Sequence, residues 1–129
     1  MTRTATCCCR ACAIVVDGDP ALNAICHCGD CKRRTGSAFG WSAYFADDRV
    51  QPPLGRLGLY GLRGDVAQER WFCANCGSTL FWKSVSFPDH TGIAGGCFAD
   101  TPLDMPTLTV SNEERCAWVG LPAGWRTEF

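Results

Sequence analysis

Apolar positions come in short runs that alternate with polar ones at a period near two, the pattern of half-buried strands. Ala13–Asp17 ends at the turn signal Gly18-Asp19-Pro20, and Leu22–Cys26 follows it. Residues 39–45 alternate large aromatic side chains with small ones. Leu57–Leu62 comes after the Pro52-Pro53-Leu54-Gly55 break. Gln68–Cys73 leads into a Cys73–Cys76 turn, residues 79–83 lead out of it, and residues 92–98 and Leu108–Val110 complete the set. The β-branched and aromatic content of these runs favours strand. One segment reads as helix, with Asp30 as N-cap, residues 31–35 in the turns and Gly36 as the stop. So short a helix is unstable alone. The expected fold class is therefore mainly β: a small sheet of antiparallel strands with one short helical turn, held by metal cross-links.

The chain of 129 residues is the size of one domain, expected to span residues 1–129 without linker or repeat. It has no apolar run long enough for a membrane helix. Its net charge of −1 provides no electrostatic footprint for nucleic acid. The sequence thus predicts neither a nucleic-acid nor a membrane partner.

Cysteine changes the picture, because there are 11 of them. The N-terminus runs into Cys7 without an apolar export core, which predicts a reducing cytoplasmic setting where thiols stay free or bind metal. An odd number cannot pair fully. The residues also cluster as Cys7, Cys8, Cys9 and Cys12, then Cys26, Cys28 and Cys31, then Cys73 and Cys76, with Cys97 and Cys116 alone as expected buried thiols. Such spacing lets one short turn aim two sulfurs at one ion.

Cys73-Ala-Asn-Cys76-Gly77 reads as a zinc-knuckle turn, with Gly77 free to take a left-handed conformation. Two further sulfurs should come from the N-terminal group. Cys7 and Cys9 are the better pair and Cys9 with Cys12 a competing one, although Cys12 opens an apolar run and reads as a strand residue. Cys8 is then a spectator. Cys26, Cys28 and Cys31 form a second, three-sulfur group with no fourth cysteine near in sequence, and three protein ligands with an open position mark a catalytic zinc. His27, between two ligands, reads as a packing or pocket residue in preference to a ligand. Lys32-Arg33-Arg34 follows at once, either as a solvated face or as a site for substrate carboxylates. Arg34, three residues after Cys31, shares its face and is the expected carboxylate holder. Phe39 and Trp41, spaced i and i+2, lie either in the core or on the approach to the trio.

These motifs resemble the glutathione-dependent formaldehyde-activating enzyme family, whose domain centromere protein V shares. The matching pieces are Cys7-Cys8-Cys9, the stretch from Cys26-His27-Cys28-Gly29-Asp30-Cys31 to Phe39, Arg70-Trp71-Phe72-Cys73-Ala74-Asn75-Cys76-Gly77-Ser78, residues 95–100 and Trp118. The resemblance implies a β-tent fold with two zinc ions. Cys7, Cys9, Cys73 and Cys76 would hold the structural one and Cys26, Cys28 and Cys31 the substrate-facing, more labile one. It also implies a carbon–sulfur lyase that condenses a small-molecule thiol, glutathione, with formaldehyde. Arg10 departs from the pattern, since the family usually has glycine there. His27, His90 and Asp100 are the candidate general acids. Two other readings stay open: a zinc module that binds a thiol or a protein without turnover, and a thiol-redox or metal-handling protein.

Overall fold

The computed structural model describes residues 1–64 and 67–128. Ten strands and one α-helix are present among them. In chain order they are β1 (Thr2–Thr6), β2 (Ala13–Asp17), β3 (Leu22–Cys26), α1 (Gly29–Thr35), β4 (Gly40–Ala46), β5 (Leu57–Leu62), β6 (Gln68–Cys73), β7 (Thr79–Ser84), β8 (His90–Ala94), β9 (Leu108–Val110) and β10 (Arg126–Glu128). The protein is mainly β, as its alternating pattern requires. β1 and β2 form a separate hairpin, and the other eight strands form one sheet in the order β10-β9-β3-β4-β8-β7-β6-β5.

The sheet is antiparallel except at one end, where β9 runs parallel to both β3 and β10. Three elements differ from the sequence expectation. β1 was not foreseen, because Thr2–Thr6 carries no large apolar residue. Its inward positions are Arg3, held by Gly18 and Asp19, and the small Ala5. β10 is equally short of apolar residues. The run 92–98 is only half strand, since after Ala94 the chain turns into a 3-10 helix over Gly95–Phe98.

Strand alternation gives the sheet two different faces. On β4, Ala43 and Phe45 point to the core, with Trp41 packed against it, and Ser42 and Tyr44 point the other way. The hairpin closes the first face with Ala5, Ile14 and Val16, which meet Phe45, Phe81, Ile93 and Phe98. The second face is concave and lines a cavity of about 770 Å³.

α1 starts two residues earlier than Asp30 as N-cap would place it. Its N-cap is Cys28, whose Sγ accepts the Cys31 N–H at 3.3 Å. Sulfur thus takes the role that an oxygen usually has at this position. Gly36 ends the helix in the left-handed region, at φ 62°.

Candidate functional site

The hairpin loop and the β6–β7 turn bring four sulfurs together. Cys7, Cys9, Cys73 and Cys76 have all their Sγ atoms within 4.8 Å of one another. Cys9 lies 3.7 Å from both Cys7 and Cys73. Sulfurs about 2.3 Å from a central zinc would stand about 3.8 Å apart at tetrahedral corners, so the spacing suits a metal and far exceeds a disulfide bond. Backbone donors point at the cluster: Cys12 N–H to Cys7 Sγ at 3.2 Å, and Asn75 and Cys76 N–H to Cys73 Sγ at 3.3 and 3.4 Å. The Ser78 hydroxyl leads in lowering the Cys76 thiol to about 5. Gly77, at φ 82°, makes the turn possible.

Cys12 resolves the competition for this cluster. It is fully buried, and its S–H donates to the Arg56 carbonyl at 3.3 Å. Burial raises its thiol to about 11, so it stays protonated beside the four sulfurs. Cys8 is exposed and points away from them. Arg10 sits in the hairpin loop at φ 69°, a conformation that favours glycine, and its guanidinium pairs with Asp100 at 3.1 Å.

The second cluster lies on the cavity wall. Cys26 ends β3, Cys28 caps α1 and Cys31 is in its first turn, and their sulfurs lie within 4.8 Å of one another. Hydrogen bonds from the Cys26 and Cys31 thiols push Cys28 down to about 2, and the same sharing, with burial, raises the other two. Three such thiols ionise together only around a cation, which is the donor set of a soft or borderline metal. The described residues offer these two clusters and no other of this kind.

His27 is the pivot of this loop and does not face the cavity. It is fully buried, and its Nε2 meets Thr109 Oγ1 at 2.9 Å. The Thr109 hydroxyl donates to Asn112 Oδ1 at 2.7 Å, so His27 must donate to Thr109. Its Nδ1 is buried without a partner. Burial leads in lowering its pKa, and Arg115 and Lys32 add to this, which keeps the ring neutral. Phe39 packs edge-on against the ring, with centroids 5.8 Å apart.

The other candidates divide by face. Trp41 belongs to the core side, with its Nε1–H on Asn23 Oδ1 at 2.7 Å and its ring against Gly95. The i, i+2 spacing to Phe39 is correct, but it points Trp41 away from the cavity. Lys32 bonds the Glu114 carbonyl, Arg33 is exposed beside Asp30, and Arg34 alone of the basic run lines the cavity. Arg34 lies over the Trp82 ring, with Cζ 4.3 Å from its centroid, and its Nη2 is buried without a partner. His90 bonds the Pro88 carbonyl outside the cavity, and Asp100 pairs with Arg10 in the hairpin region. Neither of these two, nor His27, lines the cavity. Cys97 and Cys116 are half-buried, and each stands outside both clusters.

The profile of the glutathione-dependent formaldehyde-activating enzyme family matches residues 2–113. The chain belongs to this family. Its fold is similar to that of a solved protein of Rhodobacter sphaeroides, with 26% identity and a TM-score of 0.58 over 73% of this chain and 85% of that one. A comparison with curated proteins gives no match. Family membership accounts for the order of the cysteines along the chain, and the geometry shows what that order achieves.

Three cavity residues escaped the sequence reading: Tyr44, Arg70 and Trp82. Arg70 alternates with Glu69 on β6 and looks like a solvent-facing position, yet it is only 8% exposed. The available signal was the pairing of alternate polar residues, Gln68 and Arg70, in a strand whose neighbours are aromatic. Among the described residues, no helix is long and apolar enough to cross a membrane.

Proposed function

We propose that this protein is a carbon–sulfur lyase-type enzyme that joins a thiol such as glutathione to formaldehyde or a related small electrophile, in the cytoplasm. Zinc is the expected metal at both clusters, structural at Cys7, Cys9, Cys73 and Cys76 and substrate-facing at Cys26, Cys28 and Cys31. The observation that carries this reading is the asymmetry between them. One cluster has four sulfurs packed around their own backbone, and the other has three on the wall of a cavity. Zinc bound by the trio would supply one thing, a place where a thiol sulfur is held as thiolate at neutral pH.

The chain's own residues do the rest. The cavity holds the two reactants close together and limits their water, which is where most of the rate gain in such an addition arises. Arg34 lines the cavity beside Cys31 and offsets the negative charge of the trio. Tyr44 accepts the Trp82 Nε1–H at 3.0 Å and so has its own O–H free to donate into the cavity. Burial raises the pKa of that hydroxyl, and the neighbouring Cys31 and Cys26 sulfurs add to the rise, so it stays protonated. In the addition, a sulfur lone pair forms the C–S bond and the C=O π pair moves to oxygen. Tyr44 gives that oxygen its proton, and the proton lost by the thiol restores Tyr44 through solvent.

The test is exchange NMR of glutathione and formaldehyde with protein carrying two zinc ions per chain. S-hydroxymethylglutathione should form faster than in buffer, and Cys28→Ser should remove the excess rate. A rate equal to the spontaneous one, with glutathione bound, would leave a thiol-binding module in place of an enzyme.

A further inference from the structure

Arg70 is a buried cation that has no ion-pair partner among the described residues. It stands opposite Trp82 in the β6–β7 ladder, so its side chain emerges beside the indole that carries Arg34. Both guanidiniums line the cavity. Arg70 uses its Nε–H for Gln68 Oε1 at 3.0 Å, and among the described residues no carboxylate lies within salt-bridge distance of Arg70 or Arg34. Two guanidiniums on one cavity wall, neither with a carboxylate partner among the described residues, is an arrangement that an anion would complete.

The support beneath them is rigid. The Trp82 ring lies on Gly92, where an added Cβ would come within 2.2 Å of Nε1, and its Nε1–H is held by Tyr44. The order across the wall also matters. Gly40 brings Cys31 Cβ and Arg34 Nη2 to the same spot, which puts Arg34 next to the trio, and Arg70 is the cross-strand neighbour of Trp82 on the same cavity wall. Arg34 is thus already engaged by the trio's charge, and Arg70, which uses its Nε–H on Gln68, keeps its two NH2 groups for a ligand. A guanidinium edge matches a carboxylate bidentately, which suits a planar acid several bonds from a sulfur.

We infer that Arg70, with the outer edge of Arg34, is a carboxylate subsite that selects thiols carrying an acid group remote from the sulfur. The inference rests on the reading that the trio takes a thiol, and it adds which thiols are chosen and by which residue. Arg70 is here a specificity-determining residue.

Calorimetric titration of the zinc-loaded protein tests it with glutathione, glutathione diethyl ester, S-methylglutathione and 2-mercaptoethanol. Glutathione should bind about ten- to a hundredfold more tightly than its diester, the range for a charge-assisted hydrogen bond. Arg70→Gln should bring glutathione down to the diester's affinity and leave the diester and 2-mercaptoethanol unchanged. Arg70→Lys should recover part of the loss. Equal affinity of glutathione and diester for the wild type overturns the subsite. An equal loss for both ligands in Arg70→Gln overturns it too, since that marks a role in folding. S-methylglutathione separates the two readings. If it binds as well as glutathione and remains sensitive to Arg70→Gln, the thiol reading fails and the carboxylate subsite stands. If 2-mercaptoethanol binds and neither peptide does, the thiol reading stands and the subsite is overturned.

Discussion

Thr109→Val is the substitution that isolates the loop holding the trio. It keeps the shape of the side chain and replaces one hydroxyl by a methyl group. Thr109 and His27 are both fully buried, and the hydroxyl accepts from His27 Nε2 at 2.9 Å and donates to Asn112 Oδ1 at 2.7 Å. In the variant, the His27 N–H loses its partner in a dry site, which costs about 1–3 kcal/mol. The Asn112 oxygen is only half-buried and recovers water, so its share is about 0.5–1.5 kcal/mol. The sum is a loss of about 1.5–4.5 kcal/mol. Urea unfolding of the zinc-loaded protein measures it, with chelator competition to follow each metal. Because His27 lies between Cys26 and Cys28, the three-sulfur site should release its metal more readily, and the four-sulfur site should not. A double variant with His27→Leu should lose less than the sum of the two single losses, since removing both partners leaves nothing unsatisfied. A stability change within about 0.5 kcal/mol for Thr109→Val, the ordinary range of a surface change, would refute the reasoning.

Cys73→Ser and Cys76→Ser should each leave little soluble folded protein, since the four-sulfur cluster ties the hairpin loop to the β6–β7 turn; a normal melting temperature for either would remove the structural role. Trp41→Ala should cost about 3–5 kcal/mol in unfolding experiments and leave ligand affinity unchanged, and a fall in affinity at kept stability would put Trp41 back in the site. Arg10→Gly relieves a left-handed arginine and loses an exposed ion pair with Asp100. The two effects, with the added freedom of glycine in the unfolded chain, leave a change between about zero and +1 kcal/mol, and a destabilisation seen by calorimetry would contradict the backbone argument.

The two cysteine clusters were legible because the spacing that brings sulfurs together is local. Cys73-x-x-Cys76 and Cys26-x-Cys28-x-x-Cys31 each fit one turn, and a turn can be read without knowing the fold. The choice between Cys9 and Cys12 was legible for a different reason: Cys12 begins a strand, and strand alternation buries it. Trp41 was not legible. Either face of β4 accepts an aromatic residue, and which face meets the cavity depends on where the hairpin packs. Arg70 shows the same limit from the other side, because a polar residue on a strand looks solvated until a curved sheet folds over it. β1 and the parallel β9–β3 pair were also hidden, since both owe their existence to partners distant in sequence.

The two clusters differ most in how their charge is balanced, and this separates their roles better than the number of sulfurs does. Around Cys7, Cys9 and Cys73, the donors are backbone N–H groups and the Asn75 amide, all neutral and all fixed by the turns themselves. The backbone donors cannot leave without unfolding a turn, so the cluster is closed by the turns that build it. The trio also has backbone donors, Cys31 N–H to Cys28 among them, and the Cys26 thiol itself donates to Ser111. Its main compensating charge is the Arg34 guanidinium, which lies in the cavity on a Trp82 platform. A counter-ion on a side chain is movable, and it is shared with whatever enters. An incoming anion that draws Arg34 outward strengthens the net negative charge felt at the sulfurs, and one that leaves Arg34 in place does not. If the trio holds a metal and the cavity a ligand, as proposed above, the affinity for the one and the charge of the other would be coupled through one arginine. The four-sulfur cluster takes its hydrogen bonds from neutral groups among the described residues, and a ligand in the cavity has no such route to it.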